Sequence, residues 1–190
     1  MSANTYHPQT AKFLAMVAQN MPPLSADVMQ GWIQNPKALR KFLDGLTPES
    51  AIDGIEHVVD LDADPFVPEG LTVEEHHKGG QFAWDAAKVE LYLSNGQSGR
   101  KYIVGTKLRE EMKGKNPFNA NLLDYLLKNP NIIPDEWKGK YVFFWGTTYR
   151  GRDGGLFVRC LCWFGGRWFW SCHWLARAFF GVSPAALRAS

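Results

Sequence analysis

Three groups of side chains in this 190-residue sequence have types and spacings that could do chemistry. Cys160, Cys162, Cys172 and His173 form a C-x-C plus C-H set of the soft ligands that zinc prefers, but not in a spacing that zinc sites use. Glu74, Glu75, His76 and His77 could hold a metal or exchange protons. Nothing near them in sequence supplies a nucleophile or a fixed third ligand, so the run reads as a solvated loop. Asp60, Asp62 and Asp64 in "DLDAD" imitate the opening of a calcium loop. Pro65 stands where that loop needs Gly, and Leu71 where it needs Glu, so the match fails. The sequence has no phosphate-binding glycine loop, serine elbow or dinucleotide fingerprint. The reading is therefore of no catalytic residue, no metal and no cofactor.

The cysteines are odd in number, and the start of the chain lacks a basic stretch followed by a long apolar run. Both features predict reduced thiols and a cytoplasmic protein without a secretory signal. Cys160 and Cys162 would lie about 7 Å apart between α-carbons on one strand, awkward for a bridge. The most apolar window, residues 160–182, is interrupted by Arg167, His173 and Arg177, so no membrane span is expected. The net charge of +2 gives no reason to expect a nucleic-acid partner. Its distribution is uneven: residues 1–140 sum to −3, whereas the last fifty, with six Arg and one Asp, sum to +5.

The elements that must position these residues begin with helices between residues 9 and 46. Phe13, Leu14 and Val17 share a face there, and Ser25 is placed to cap a helix carrying Val28, Met29 and Trp32. "NPKALRKFLDGL" repeats the pattern up to Gly45. We assign 1–47 as a helical N-terminal segment and 48–190 as the main domain. Within the latter, "IEHVVDLDADPFVP" reads as a strand entering a turn, and "KVELYLSNGQSGRKYIV" as a hairpin about Asn95-Gly96. "TKLREEM" and "NANLLDYLLKN" read as helices, the second with Leu122, Leu123, Leu126 and Leu127 as core. "YVFFWGTTYR", "GLFVRCLCW" and "RWFW" read as strands, with turns at Gly154-Gly155 and Gly165-Gly166. The fold class is α+β, with short antiparallel strands gathered at the C-terminus and a few packed helices.

The composition of the last fifty residues is unusual. The first 140 contain 12 Lys, 9 Glu, 6 Gln and 5 Met, and the last fifty contain none of the four. An aromatic strand region disfavours long flexible side chains, which accounts for part of this.

The segments "YVFFWGT", "RCLCW", "GRWFW" and "SPAALRAS", in that order, resemble the variable proteins of diversity-generating retroelements. "HKGGQFAWDAAKVELYLS" and "NANLLDYLLKNPNIIPDEWKGKYVFFWGT" are similar to one group of them from small-genome bacteria, of the subgroup akin to formylglycine-generating enzymes. The resemblance runs from Ile55 to the C-terminus. It implies a C-type-lectin-like fold whose C-terminal part carries hypervariable positions on a fixed scaffold. In that family a reverse transcriptase miscopies template adenines, so an Asn codon can become most residues but never Lys, Glu, Gln, Met or Trp.

Matched to the family's pattern, the variable slots fall on Gly151, Arg152, Gly155, Phe157, Cys162, Phe164, Gly166, Phe169, Ser171, Cys172, His173, Ala176, Arg177, Ala178, Phe180, Gly181, Val182 and Ser183. The scaffold would be Trp145, Gly146, Arg159, Trp163, Gly165, Arg167, Trp168, Trp170, Trp174, Leu175 and Pro184, with Phe179 standing where the family often has Trp. A period of two should send Trp168 and Trp170 inward and Phe169 and Ser171 outward. The resemblance implies a non-enzymatic, soluble protein that binds an unidentified ligand, such as a protein or other macromolecular surface, through the diversified region 151–183. Two alternatives stay open: an enzyme of the formylglycine-generating kind, and a structural subunit of a virion or cell-surface assembly.

Overall fold

The computed structural model describes residues 25–37 and 57–189, together with Lys12, Ala15, Met16, Ala18 and Gln19, which are helical. The chain divides into two units, Met1–Ile55 and Glu56–Ser190. In the first, α1 (Ala26–Gln34) starts where Ser25 Oγ accepts the Val28 N–H at 3.3 Å, the cap expected from sequence. Val28 and Met29 stand about half exposed on it. The expected face of Phe13, Leu14 and Val17, and the continuation from Ala38 to Gly45, lie outside the described residues. No helix among the described residues is long and apolar enough to cross a membrane.

The second unit is α+β. Its strands are β1 (Val58–Asp60), β2 (Leu71–His76), β3 (Gln81–Ala83), β4 (Val89–Tyr92), β5 (Ile103–Val104), β6 (Tyr141–Gly151), β7 (Leu156–Phe164), β8 (Arg167–Trp174), β9 (Ala178–Phe179) and β10 (Ala185–Arg188). Helices α2 (Gly105–Met112) and α3 (Ala120–Lys128) lie between β5 and β6. One sheet runs in the order β4-β10-β6-β7-β8, with β2 paired to the far half of β6. Its neighbours are antiparallel except β10 with β6. β1 pairs with β3 and β5 with β9 as two-stranded ribbons.

This topology explains the unbroken apolar run "VFFW" in β6. A central strand covered on both faces buries every side chain, so alternation disappears. Val142 and Phe144 enter one core with Leu122, Leu123 and Leu126 of α3, while Phe143 and Trp145 enter a second with Leu108 of α2 and Phe179 of β9. Three leucines expected on one face of α3 are fully buried, and Leu127 packs at the margin.

Two expectations need correction. Asn95-Gly96 does not form a hairpin: β4 pairs with β10 and β5 with β9. A two-residue hairpin turn of the expected type needs positive φ, which neither residue has. Instead Ser94 and Gln97 form a capping box around a single 3-10 turn, so the local hydrogen bonds close without a strand partner. The run from Glu74 to His76 is strand, not loop, because β6 supplies its backbone partners.

The largest fully buried side chain is Arg159, on the face of β7 that looks toward α3. Its Nη1 and Nη2 donate to the two carboxylate oxygens of Asp124 on α3, at 2.9 and 2.6 Å. The guanidinium lies against both Phe66 and Trp170, 5.0 and 4.6 Å from the ring centres. Removing one partner of such a pair strands a charge away from water. Asp124→Ala should therefore lower the unfolding free energy by about 3 to 5 kcal/mol. Urea denaturation checks this, and an Asp124→Leu, Arg159→Met double variant should recover most of the loss.

Candidate functional site

The expected variable slots lie on the β7–β8 hairpin and the chain that continues from it. Gly151, Arg152 and Gly155 belong to the end of β6 and the turn into β7; Phe157, Cys162 and Phe164 to β7; Gly166 to the next turn. Phe169, Ser171, Cys172 and His173 are on β8, Ala176 and Arg177 follow it, Ala178 opens β9, and Phe180, Gly181, Val182 and Ser183 connect β9 to β10. At Gly166 φ is +79°, a conformation in which Gly is unstrained and Asn the best-tolerated alternative.

The hairpin register is regular over eight pairs, from Phe157 opposite Trp174 to Phe164 opposite Arg167. One face presents Arg159, Leu161 and Trp163 with Cys172, Trp170 and Trp168, facing the α3 side. The other presents Val158, Cys160 and Cys162 with His173, Ser171 and Phe169. The four zinc-type ligands are thereby divided. Cys172 lies on the Arg159 face, while Cys160 and Cys162 lie on the opposite one. His173 lies edge-on to Phe179 at 4.6 Å and reaches the Ala178 carbonyl through Nε2 at 3.2 Å. The three cysteines form no disulfide. The neighbouring Cys162 sulfur, and after it burial, push the Cys160 thiol upward, and the same contact lowers Cys162. Among the described residues no three His, Cys, Asp or Glu side chains converge as a metal site.

The expected separation of buried tryptophans from exposed phenylalanines holds only for direction, not for burial. Trp168 is half-buried, but Trp170 is 37% exposed, the same as Phe169. β8 is the last strand of the sheet; Trp168 reaches the core under α3, but Trp170 is covered only by Phe66 and the Arg159 guanidinium. Trp174 is exposed too, with Arg177 5.8 Å from its ring. Phe179, whose class the sequence leaves open, is fully buried and packs on Phe143 and Trp145. Nine of the eighteen slots are exposed, seven are half-buried, and two are buried. Cys162 is buried because it sits in one row between Tyr141 and Phe169, whose rings flank it across the strands. Ser183 is buried where its carbonyl accepts from Gln97 Nε2 at 2.9 Å.

Gln97 is a positioning residue that the sequence reading missed. Its amide nitrogen donates to the carbonyls of Phe180 and Ser183, both at 2.9 Å, and so clamps the 180–183 turn through its main chain. Tyr141 N–H adds a bond to the Val182 carbonyl at 2.8 Å. The signal for Gln97 was the S-x-x-Q spacing in "SNGQ", obscured by the stronger hairpin signature of the central Asn-Gly. Tyr102, stacked 5.8 Å from Phe180, and Tyr141 extend the exposed aromatic surface beyond the expected slots.

The Glu74–His77 run is used structurally. Glu74 accepts both Nε and Nη2 of Arg150 at 2.6 and 2.5 Å, which lowers its pKa, and Glu75 pairs with Arg109 at 2.9 Å. Asp60 and Asp62 cap backbone N–H groups of Asp62, Gly79 and Gly80. His76 Nδ1 is 2.8 Å from Thr147 Oγ1, and that oxygen also accepts the Ala120 N–H at the start of α3. No protein-family model, curated protein or solved structure matches the chain.

Two measurements follow from this placement. Phe169→Ser and Phe180→Ser should each shift stability by no more than about 0.5 kcal/mol, whereas Phe179→Ala should cost about 3 to 5 kcal/mol through the cavity it leaves. Thermal melts of the three variants check the contrast, with Trp170→Ala expected between them. The second measurement is a pH profile. Burial holds the His76 pKa below its ordinary value, outweighing the nearby carbonyls of Leu61 and Ala63. The folded state thus resists a proton that the unfolded chain accepts. Its stabilising contribution is present above the unfolded pKa, about 6.5, and is lost as pH falls through the lower folded value. Stability should rise from pH 5 to 7, and His76→Gln should flatten part of that rise.

Proposed function

We propose that this is a non-enzymatic ligand-binding protein with a C-type-lectin-like fold, whose region 151–183 displays a surface diversified by a retroelement. One observation carries the reading. None of the eighteen expected variable positions belongs to either hydrophobic core cluster or to the partly buried hydrophobic residues set against them, and only His173 stacks on rings of a cluster, Phe143 and Phe179, whereas Val158, Cys160, Leu161, Leu175 and Phe179, interleaved with the slots, are cluster members. A surface that must accept many side chains has to draw its stability from elsewhere. The anchoring of 180–183 fits that demand. Gln97 and Tyr141 hold it by main-chain carbonyls, which every side chain leaves in place.

The surface of this variant is aromatic, with Phe164, Phe169, Phe180 and Val182 exposed beside Tyr102 and Tyr141. Rigid rings with few rotamers lose little entropy on contact, and Arg152 and Arg177 at the margins offer forked donors. The ligand class that suits such a face is a protein or other macromolecular surface with apolar area to cover.

The DNA of the locus tests the proposal. A near-repeat of the last hundred or so bases should lie beside a reverse-transcriptase gene. Every variable slot should use a codon ending in C or T, since adenine miscopying of AAC or AAT leaves the third base unchanged. Arg152 and Arg177 must then be CGC or CGT. AGA or AGG at either would remove that position, and several such codons together with a missing repeat would sink the assignment.

A further inference from the structure

The turn from β2 to β3, the connection from α2 to α3 and the end of β10 enclose a cleft of about 270 Å³. Its floor is the buried Leu61, Phe118 and Asn119. The Asn119 amide donates to the carbonyls of Leu61 and His77, at 2.7 and 2.9 Å, which fixes that floor to the β2–β3 turn. Lys78, Lys115 and Arg188 line the cleft, and no carboxylate does. None of these three cations has an ion-pair partner among the described residues. Of the neighbouring acids, Asp62 is turned to the N–H groups of Gly79 and Gly80, and Glu111 to the hydroxyls of Ser94 and Tyr92. The concentration is notable because residues 1–140, which supply both lysines, sum to −3.

Two of the cations are held before any ligand arrives. Arg188 donates from Nη2 to the Gly79 carbonyl at 3.1 Å, and its guanidinium lies 5.2 and 5.6 Å from the ring centres of Phe82 and Phe118. Lys115 Nζ rests 4.2 Å from the Tyr92 ring. Fixing long side chains in advance removes entropy that binding would otherwise cost. Gly79 keeps the space beside the guanidinium free: a Cβ there would stand 2.9 Å from Leu61 Cδ1 and 3.7 Å from Arg188 Nη2. Three uncompensated positive charges around one concavity repel each other, and an anion relieves that repulsion while accepting from the guanidinium fork and the ammonium groups.

We propose that this cleft binds a phosphate-type oxyanion, free or carried on a small ester. It contains no residue of 151–183 and stands independently of the display reading. A diversified protein would then carry a second, constant site whose ligand does not change with the variable surface.

Titration of the full chain with inorganic phosphate at constant ionic strength, followed by calorimetry, tests this. One saturable site with a Kd below about 1 mM is expected. Arg188→Gln should weaken it by about tenfold or more. Because Arg188 also packs on two rings, the Lys78→Gln, Lys115→Gln double variant is the companion test, and it should show a comparable loss with an unchanged melting temperature. Lys107→Gln, on α2 and outside the cleft, should bind as the parent does. A mononucleotide that binds more tightly than phosphate assigns the cleft to an ester-borne group, and one that binds less tightly assigns it to the free ion. No saturable heat, or a double variant that binds like the parent, overturns the site.

Discussion

A charge sealed under a sheet has to be matched where it lies, and the pairing of Arg159 with Asp124 is the contact on which the C-terminal half depends. Arg159 has no exposed surface, and two short hydrogen bonds to the carboxylate of the partly exposed Asp124 return part of its desolvation cost. The geometry of the pair joins elements that are far apart in sequence. It ties β7 to α3, and its planar group lies against Trp170 of β8 and Phe66 of the β1–β2 connection, two rings that also meet edge-on. Tyr149 of β6 lies beside it, with its hydroxyl donating to the Phe66 carbonyl at 3.0 Å and its pKa pushed up to about 12 by burial. A hydrophobic residue in place of Arg159 would pack, but it would not orient four segments at once.

The second constraint is the division of labour across β7 and β8. Side chains on one face answer to Asp124 and α3, while on the other the row of Tyr141, Cys162 and Phe169 marks where core gives way to surface. Cys160, one step along, is already inside the second cluster, and Cys162 is covered only by its cross-strand neighbours. A variable slot at Cys162 would therefore accept small residues more readily than large ones. The exposed positions Phe164, Phe169 and Phe180 carry no such limit.

Much of this was legible in the sequence, for reasons that differ from element to element. The strands of the C-terminal half announced themselves by aromatic and β-branched density and by glycine turns, and α3 by its leucine spacing. All depend on local chemistry that a sequence carries directly. What failed was nonlocal. The Asn-Gly pair between two alternating runs is a strong hairpin signal, but the partners of β4 and β5 lie near the C-terminus, where β10 and β9 outcompete each other's sequence neighbours. The exposure of Trp170 was hidden for a similar reason: alternation predicts which face a side chain takes, not whether a second layer covers that face. Arg159 could be placed among fixed residues, but its partner thirty-five positions earlier had no sequence mark beyond its place on an apolar helix.

The edge position of β8 has a physical consequence for any binding role. An edge strand leaves backbone groups free along one side, and β8 carries a single charge, Arg167, in eight residues. Proteins usually blunt such edges with charge, proline or a covering segment, because an open aromatic edge invites pairing with other chains. Here Trp170 is engaged by Arg159 and Phe66, Trp168 packs on Trp163, and the turn that enters the strand bends at Gly165 and Gly166, both with positive φ. On the other face Phe169 remains available. A surface built this way gains contact area from rings and rigidity from the sheet, and it bears the risk of self-association in proportion to how apolar the sampled side chains are. On the proposed display surface, that risk sets an upper bound on how many exposed positions can be aromatic at once before the chain binds copies of itself in preference to a partner.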